Sequence, residues 1–285
     1  MLFLFVFSTL KNLLSCRREC DLVIKRVLKR MIEKRGYKII RSNLEHYDQL
    51  FAQEAIYCDE VDFSFNVPIV ITVGNFGFSF GQDTHPFVIT ITNDILYKNN
   101  SYKNSTLKEF YSAFCPSNLQ EAYSENSNFP FSTLRQYPPF LRLEPWRCSE
   151  ILISGHDNGQ GNQNFGPVSK EKGEYEFSRL RSLVESIMSN GYNPEKTCAS
   201  NITGYFMRFN DEYRFRITDG VHRSSVLSAL GYEKLKVQFD PKMPRVICYS
   251  DRHNWPKVKQ GKIDIETAEK MFEAYFSTTR SICPK

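Results

Sequence analysis

Residues 202–239 read ITGYFMRFNDEYRFRITDGVHRSSVLSALGYEKLKVQF, and this stretch decides the fold. ITGYFMRF (202–209) and YRFRIT (213–218) are rich in aromatic and β-branched residues. They flank Asn210-Asp211-Glu212, a turn sequence, so they predict a β-hairpin. Asp219-Gly220 breaks the pattern, and a helix is predicted to begin near Val221 and stop at Gly231. Leu235 to Phe239 predicts the next strand. Further back, Leu180, Leu183, Val184, Ile187 and Met188 share a helical face that ends at Gly191. The order is helix, strand, strand, helix, strand. A last helix, with Ile265, Ala268, Met271, Phe272, Tyr275 and Phe276 on one face, completes an α/β domain over 166–285.

The strand-to-helix junction carries the chemistry. A helix N-terminus presents unpaired N–H groups and a partial positive charge, so anions bind there readily. Gly220 lets the backbone come close, and Ser224 and Ser225 supply hydroxyls in the first turn. Arg223 offers a forked cation matched to phosphate oxygens, and His222 can donate a hydrogen bond or move a proton near neutral pH. Asp219 is the candidate cap or cation ligand. These residue types together suit a phosphate group. The competing reading is a structural helix cap in which Arg223 pairs with an acidic neighbour.

The run TDGVHRSSVLSALGYEKLKV (218–237), with the hairpin and helix before it, resembles the ParB/sulfiredoxin-like domain superfamily over about residues 166–245. The resemblance implies a nucleotide-phosphate turn at Gly220, His222 and Arg223, with Ser224 and Ser225 following at the helix start. It implies a nucleoside triphosphate, ATP or CTP, with Mg²⁺. Two departures matter. Sulfiredoxin has a reactive cysteine immediately before His-Arg, where this chain has Val221, so sulfinic acid reduction is not expected. Only 46 residues follow Phe239, too few for the DNA-binding helices that follow the nucleotide domain in ParB. The whole chain, with His85-Pro86-Phe87 near the middle and Asp251-Arg252-x-x-Trp255-Pro256 near the end, also resembles bacterial proteins encoded among cell-surface polysaccharide genes.

The expectation is therefore a nucleotide-dependent phosphotransferase acting on a small-molecule acceptor, in surface-polysaccharide metabolism. Glu174 and Glu176, after the Gly-rich loop, are candidate bases, with His222 a further catalytic candidate, although both glutamates also suit a solvated helix start. One alternative is a non-catalytic, nucleotide-gated interaction module. The other is a ParB-like nucleic-acid-binding protein.

Before this domain the signals weaken. Residues 66–81 and 85–95 read as strands, Leu107, Phe110, Tyr111 and Phe114 as one helix face, and 124–150 as irregular chain. Residues 43–165 are therefore expected to be a β-rich, aromatic accessory region ending in the Gly-rich loop that starts at 154 and runs to 173. That loop is a candidate lid or a plain connection. It matches neither a dinucleotide fingerprint nor a Walker A sequence. His85 and His156 read as turn or loop residues, and Trp146 as a packing anchor. Asp251, Arg252 and Trp255 either line the cleft or cap the fold.

With 285 residues, 41% hydrophobic and 24% charged, the chain has the material for a core and is not a disordered polymer. No apolar run approaches the roughly 20 residues that span a bilayer. Residues 1–42 hold eleven Lys or Arg against three Asp or Glu, a net of +8. The whole chain carries +5, so the remainder carries −3. An acidic body disfavours nucleic acid as its partner. The basic head contains a helix pattern, Val23, Ile24, Val27, Leu28, Met31 and Ile32, that fits either peripheral contact with an anionic membrane or docking on the body. LFLFVF (2–7) makes a poor secretory signal, so a cytoplasmic location is expected, and a start at Met31 is an open alternative. Eight scattered cysteines without zinc spacing suit free thiols. The overall expectation is an α+β protein.

Overall fold

The computed structural model describes residues 52–58, 64–81, 84–123, 132–153, 155–157, 159–193 and 201–277. The basic helix expected within 1–42 lies outside the described residues. The architecture is α+β and is organised on one six-stranded mixed sheet.

The strands are β1 (Ser64–Pro68), β2 (Thr72–Val73), β3 (Ile202–Phe209), β4 (Glu212–Asp219), β5 (Lys234–Phe239) and β6 (Val246–Cys248). Their order is β1-β5-β3-β4-β2, and β6 adds to β3. The expected hairpin forms β3 and β4, with Phe206 opposite Phe215 and Tyr205 opposite Arg216. The register shifts between Thr203 and Gly204. A Cβ on Gly204 would lie 2.2 Å from the Arg216 carbonyl oxygen, so only glycine lets the strands approach there. β5 runs parallel to one end of β3 and β6 parallel to the other, so both share one edge.

The principal helices are α1 (Pro86–Thr90), α2 (Thr106–Ala113), α3 (Lys170–Asn190), α4 (Val221–Ala229) and α5 (Ile265–Glu273). α3 starts inside the stretch read as loop. The Ser169 hydroxyl accepts from the Lys172 N–H at 3.0 Å and caps it, and Gly191 at φ 70° ends it. Phe177, Leu180, Val184 and Ile187 are buried, whereas Met188, expected on that face, is 55% exposed.

The region 43–165 departs most from expectation. Residues 85–95 are not a strand: α1 continues as a π-helix over Ile91–Tyr97. Pro86 occupies the first helical turn, and His85 caps it by accepting the Phe87 N–H at 3.3 Å. Phe87, Val88 and Ile91 are buried, a helical spacing that outweighs the β-branched composition. β1 and β2 do come from this region, but they pair with β5 and β4. The sheet is therefore built from both sides of the 165/166 border, and among the described residues the rest of the region is chiefly helical or irregular, with only two short two-stranded pairs, at Leu141–Arg142 with Ile151–Leu152 and at His156–Asp157 with Gly161–Asn162.

Each face of the β3–β4 hairpin has its own core. Phe65, Phe206, Phe215 and Phe239 cluster on one, with ring centroids 4.7 to 6.0 Å apart. Tyr205 and Arg216 lie on the other, under α5 and the segment 140–147. There Trp146 donates its indole N–H to the Tyr205 hydroxyl at 2.9 Å. Trp255 stacks on Phe272 and meets Trp146 edge-on, so it belongs to this core.

Candidate functional site

A cleft of about 760 Å³ opens where β4 passes into α4, with α3 as its long wall. Lys172, Tyr175, Glu176, Arg179, Ser182, Leu183 and Ser186 line it from α3. These positions recur every three or four residues, so one helical face runs along the cleft. Thr218, Asp219, Gly220, Val221, His222 and Arg223 line it from the junction, and Gly155 and Gln163 close one side.

Gly220 is the hinge of the site. Its φ of 86° is left-handed, and it is the N-cap of α4. A Cβ there would stand 2.8 Å from Ile202 Cγ1 and 3.2 Å from an Arg223 terminal nitrogen. The strand can therefore turn into the helix with the helix start facing the cleft.

His222 and Glu176 form the central pair. Nε2 of His222 lies 2.7 Å from Oε2 of Glu176, and both side chains are buried. Glu176 Oε1 is 3.1 Å from Lys172 Nζ, and Arg179 approaches to 4.0 Å. Burial alone would push the Glu176 carboxyl up, but the His222 hydrogen bond and the Lys172 ammonium hold it below its ordinary value. Burial pushes the His222 imidazole down and outweighs the Glu176 hydrogen bond that lifts it. At neutral pH the pair is thus a carboxylate and a neutral imidazole. A carboxylate only accepts, so Nε2 carries the proton, and Nδ1 keeps its lone pair.

The remaining sequence candidates scatter. Arg223 lines the cleft, with a terminal nitrogen 3.5 Å from Oδ2 of the largely exposed Asp219. Ser224 and Ser225 do not present hydroxyls to a ligand, contrary to expectation. Both are fully buried and donate back to the Gly220 and Val221 carbonyls at 3.0 and 2.9 Å. Glu174 points to solvent, 3.8 Å from Lys170, and does not line the cleft. Asp219 does not sit in a ligand set: among the described residues no group of three His, Cys, Asp or Glu is placed to hold a metal ion. The donor set does not fit a protein-held Mg²⁺, which needs several oxygen ligands.

Asp251, Arg252 and Trp255 lie away from the cleft, with Arg252 bonded to Glu269 at 2.5 Å. His156 stacks on Phe140 at 4.1 Å. His85 stacks on Phe80 at 4.3 Å, and burial pushes its pKa down to about 3.

Sequence reasoning missed Lys172, Tyr175, Arg179, Ser182 and Ser186. Their signal was present as helical spacing from Glu176, but the first turn of α3 was assigned to the loop. No protein-family model, curated protein or solved structure matches the chain.

Proposed function

We propose that the cleft binds a phosphorylated small molecule of the nucleotide class, and that Glu176 and His222 act there as a proton-accepting pair. The observation that carries this reading is the 2.7 Å Glu176–His222 contact beside the glycine-capped start of α4. A neutral imidazole oriented by a buried carboxylate is the arrangement that takes a proton from an acceptor hydroxyl.

The lining carries three cations: Lys172 and Arg179 stand beside Glu176, and Arg223 lies by Tyr192 past the end of α3, while Ser182, Leu183 and Ser186 add neutral surface. Phosphate oxygens suit the cations and the free N–H groups of the helix start. A sugar or base suits the hydroxyls and Leu183, and the exposed Tyr175 offers a face for stacking. The volume falls within the usual range for small-molecule sites.

In the proposed reaction, the acceptor hydroxyl gives its proton to Nδ1 of His222 as its oxygen attacks the terminal phosphorus. The leaving group departs as the nucleoside diphosphate. Glu176 holds the imidazole and stabilises the imidazolium formed. Any Mg²⁺ would arrive on the nucleotide, neutralising phosphate charge.

Isothermal titration of the full chain with ATP, CTP and GTP, with and without Mg²⁺, tests the binding. Saturable binding of at least one nucleotide is expected. No binding of any of them contradicts the reading.

A further inference from the structure

Away from the cleft, the segment Arg142-Leu143-Glu144-Pro145-Trp146-Arg147 carries three charged side chains into the interior. Arg142 is 7% exposed, Glu144 2% and Arg147 5%, and Arg216 of β4 joins them at 1%. Arg147 Nε stands 3.2 Å from Glu144 Oε2. Burial would push the Glu144 carboxyl up, yet Arg147, Arg142 and Arg216 together hold it below its ordinary value, so all three cations act on one carboxylate.

The hydrogen bonding is incomplete. Arg216 is bonded to the Asn75 side chain and the Ile217 carbonyl. Arg142, with five N–H donors, forms no side-chain hydrogen bond among the described residues. Its buried Nε has no hydrogen-bond partner, and neither does that of Arg147 or Arg216, nor Oε2 of Glu144, which Arg147 meets only as an ion pair. Three guanidinium groups against one carboxylate leave two positive charges in excess. Tyr205, Trp146 and Tyr275 around them are neutral groups. Lys257 is also fully buried, with the Glu150 carboxylate at 3.8 Å, which it shares with Lys262 at 2.7 Å.

Burying an unpaired cation is among the costliest arrangements in a protein interior, and native structures pair such groups almost without exception. The geometry points to a dianionic oxyanion of the phosphate or sulfate class as the missing partner, held by Arg142 and Arg147 with Arg216 behind them. Its charge cancels the excess, and its tetrahedral oxygens suit planar guanidinium forks. None of the three arginines lines the Glu176–His222 cleft, so this is a second site.

The test uses the full chain and radiolabelled orthophosphate in equilibrium dialysis, in chloride buffer at fixed ionic strength. Arg142→Met removes the charge at similar volume. Arg142→Lys keeps the charge without the fork, and serves if the first variant fails to fold. Arg223→Ala removes one of the three cleft cations, the one at the start of α4. The expectation is saturable phosphate binding that survives Arg223→Ala and weakens at least tenfold in either Arg142 variant, with sulfate competing. In chloride alone, Arg142→Met should melt no lower than wild type, because it removes an unbalanced charge. Undiminished binding in both Arg142 variants, or no binding to wild type, overturns the proposal. Binding lost only in Arg223→Ala also overturns it and assigns the phosphate to the cleft.

Discussion

Glu176→Gln isolates the charge of the central pair from its shape. Glutamine keeps the volume and an oxygen facing His222 Nε2, now 2.7 Å from Glu176 Oε2, but it removes the anion that also faces Lys172 at 3.1 Å. Turning a charge-assisted hydrogen bond into a neutral one costs about 1 to 1.5 kcal/mol. The Lys172 side chain keeps 12% exposure and can regain some hydration, so its lost partner adds about 1 kcal/mol. The expected loss is therefore about 2 to 2.5 kcal/mol near pH 7.5, a fall in melting temperature of about 4 to 10 °C. The pH dependence gives a sharper signature. Glu176 titrates below its unfolded value, so its contribution is full above about pH 4.5 and is lost as the pH falls through the depressed folded value. Urea denaturation of wild type and variant should thus show a gap at pH 7.5 that narrows on acidification below about 4.5. The variant should also lower the titration of His222, because the carboxylate raises it. That is readable from the His222 ring proton by NMR, assigned with His222→Gln. Equal stability at pH 7.5, or an unmoved His222 titration, would refute the description of this pair as an ionised carboxylate holding a neutral imidazole.

Three further outcomes follow from particular residues. His85 has a folded pKa of about 3 against 6.5 unfolded, so its contribution is full above pH 6.5 and declines as the pH falls towards 3. The ceiling is about 5 kcal/mol at 1.36 kcal/mol per unit, and His85→Asn, which keeps a capping acceptor, should flatten the acid limb of the stability profile. Gly220→Ala forces a left-handed φ on a residue with a side chain, and its Cβ meets Ile202. It should cost about 1 to 3 kcal/mol in chemical denaturation and weaken nucleotide binding by displacing the helix start. Ser224→Ala removes a hydroxyl that bonds only within its own helix, so nucleotide affinity should stay within twofold of wild type by calorimetry. A larger loss would return that hydroxyl to the binding surface.

The carboxyl-terminal part was legible because its signals agree with one another. Asn210 and Asp211 sit between two aromatic strands, Gly220 stands where the backbone turns left-handed, and Gly231 ends the helix at φ 92°. Residues 85–95 misled because Val88, Ile89, Thr90, Ile91 and Thr92 have strand propensity, while the deciding information is elsewhere. His85-Pro86 is a helix start, and burial of Phe87, Val88 and Ile91 has helical spacing. At the site, Gly220, His222 and Arg223 were legible as neighbours in sequence. The partnership of His222 with Glu176 spans 46 residues and depends on how α3 crosses α4, which no local pattern records. Ser224 and Ser225 misled because residue type says nothing of direction. The same is true of Arg142 and Arg216, whose shared environment appears only once β4 is placed against the 142–147 segment.

The most direct measurement is calorimetric titration of nucleotide into wild type and Arg223→Ala, with thermal unfolding of both recorded alongside. Asp219, one partner of Arg223 at 3.5 Å, is 62% exposed at its side chain, so losing this ion pair costs little and the variant should unfold within a few degrees of wild type. The account predicts nucleotide binding in wild type and its loss, by at least tenfold in affinity, in Arg223→Ala. Retained binding together with a large fall in melting temperature would make Arg223 a structural cap and would contradict the assignment of this cleft to a phosphate-bearing ligand.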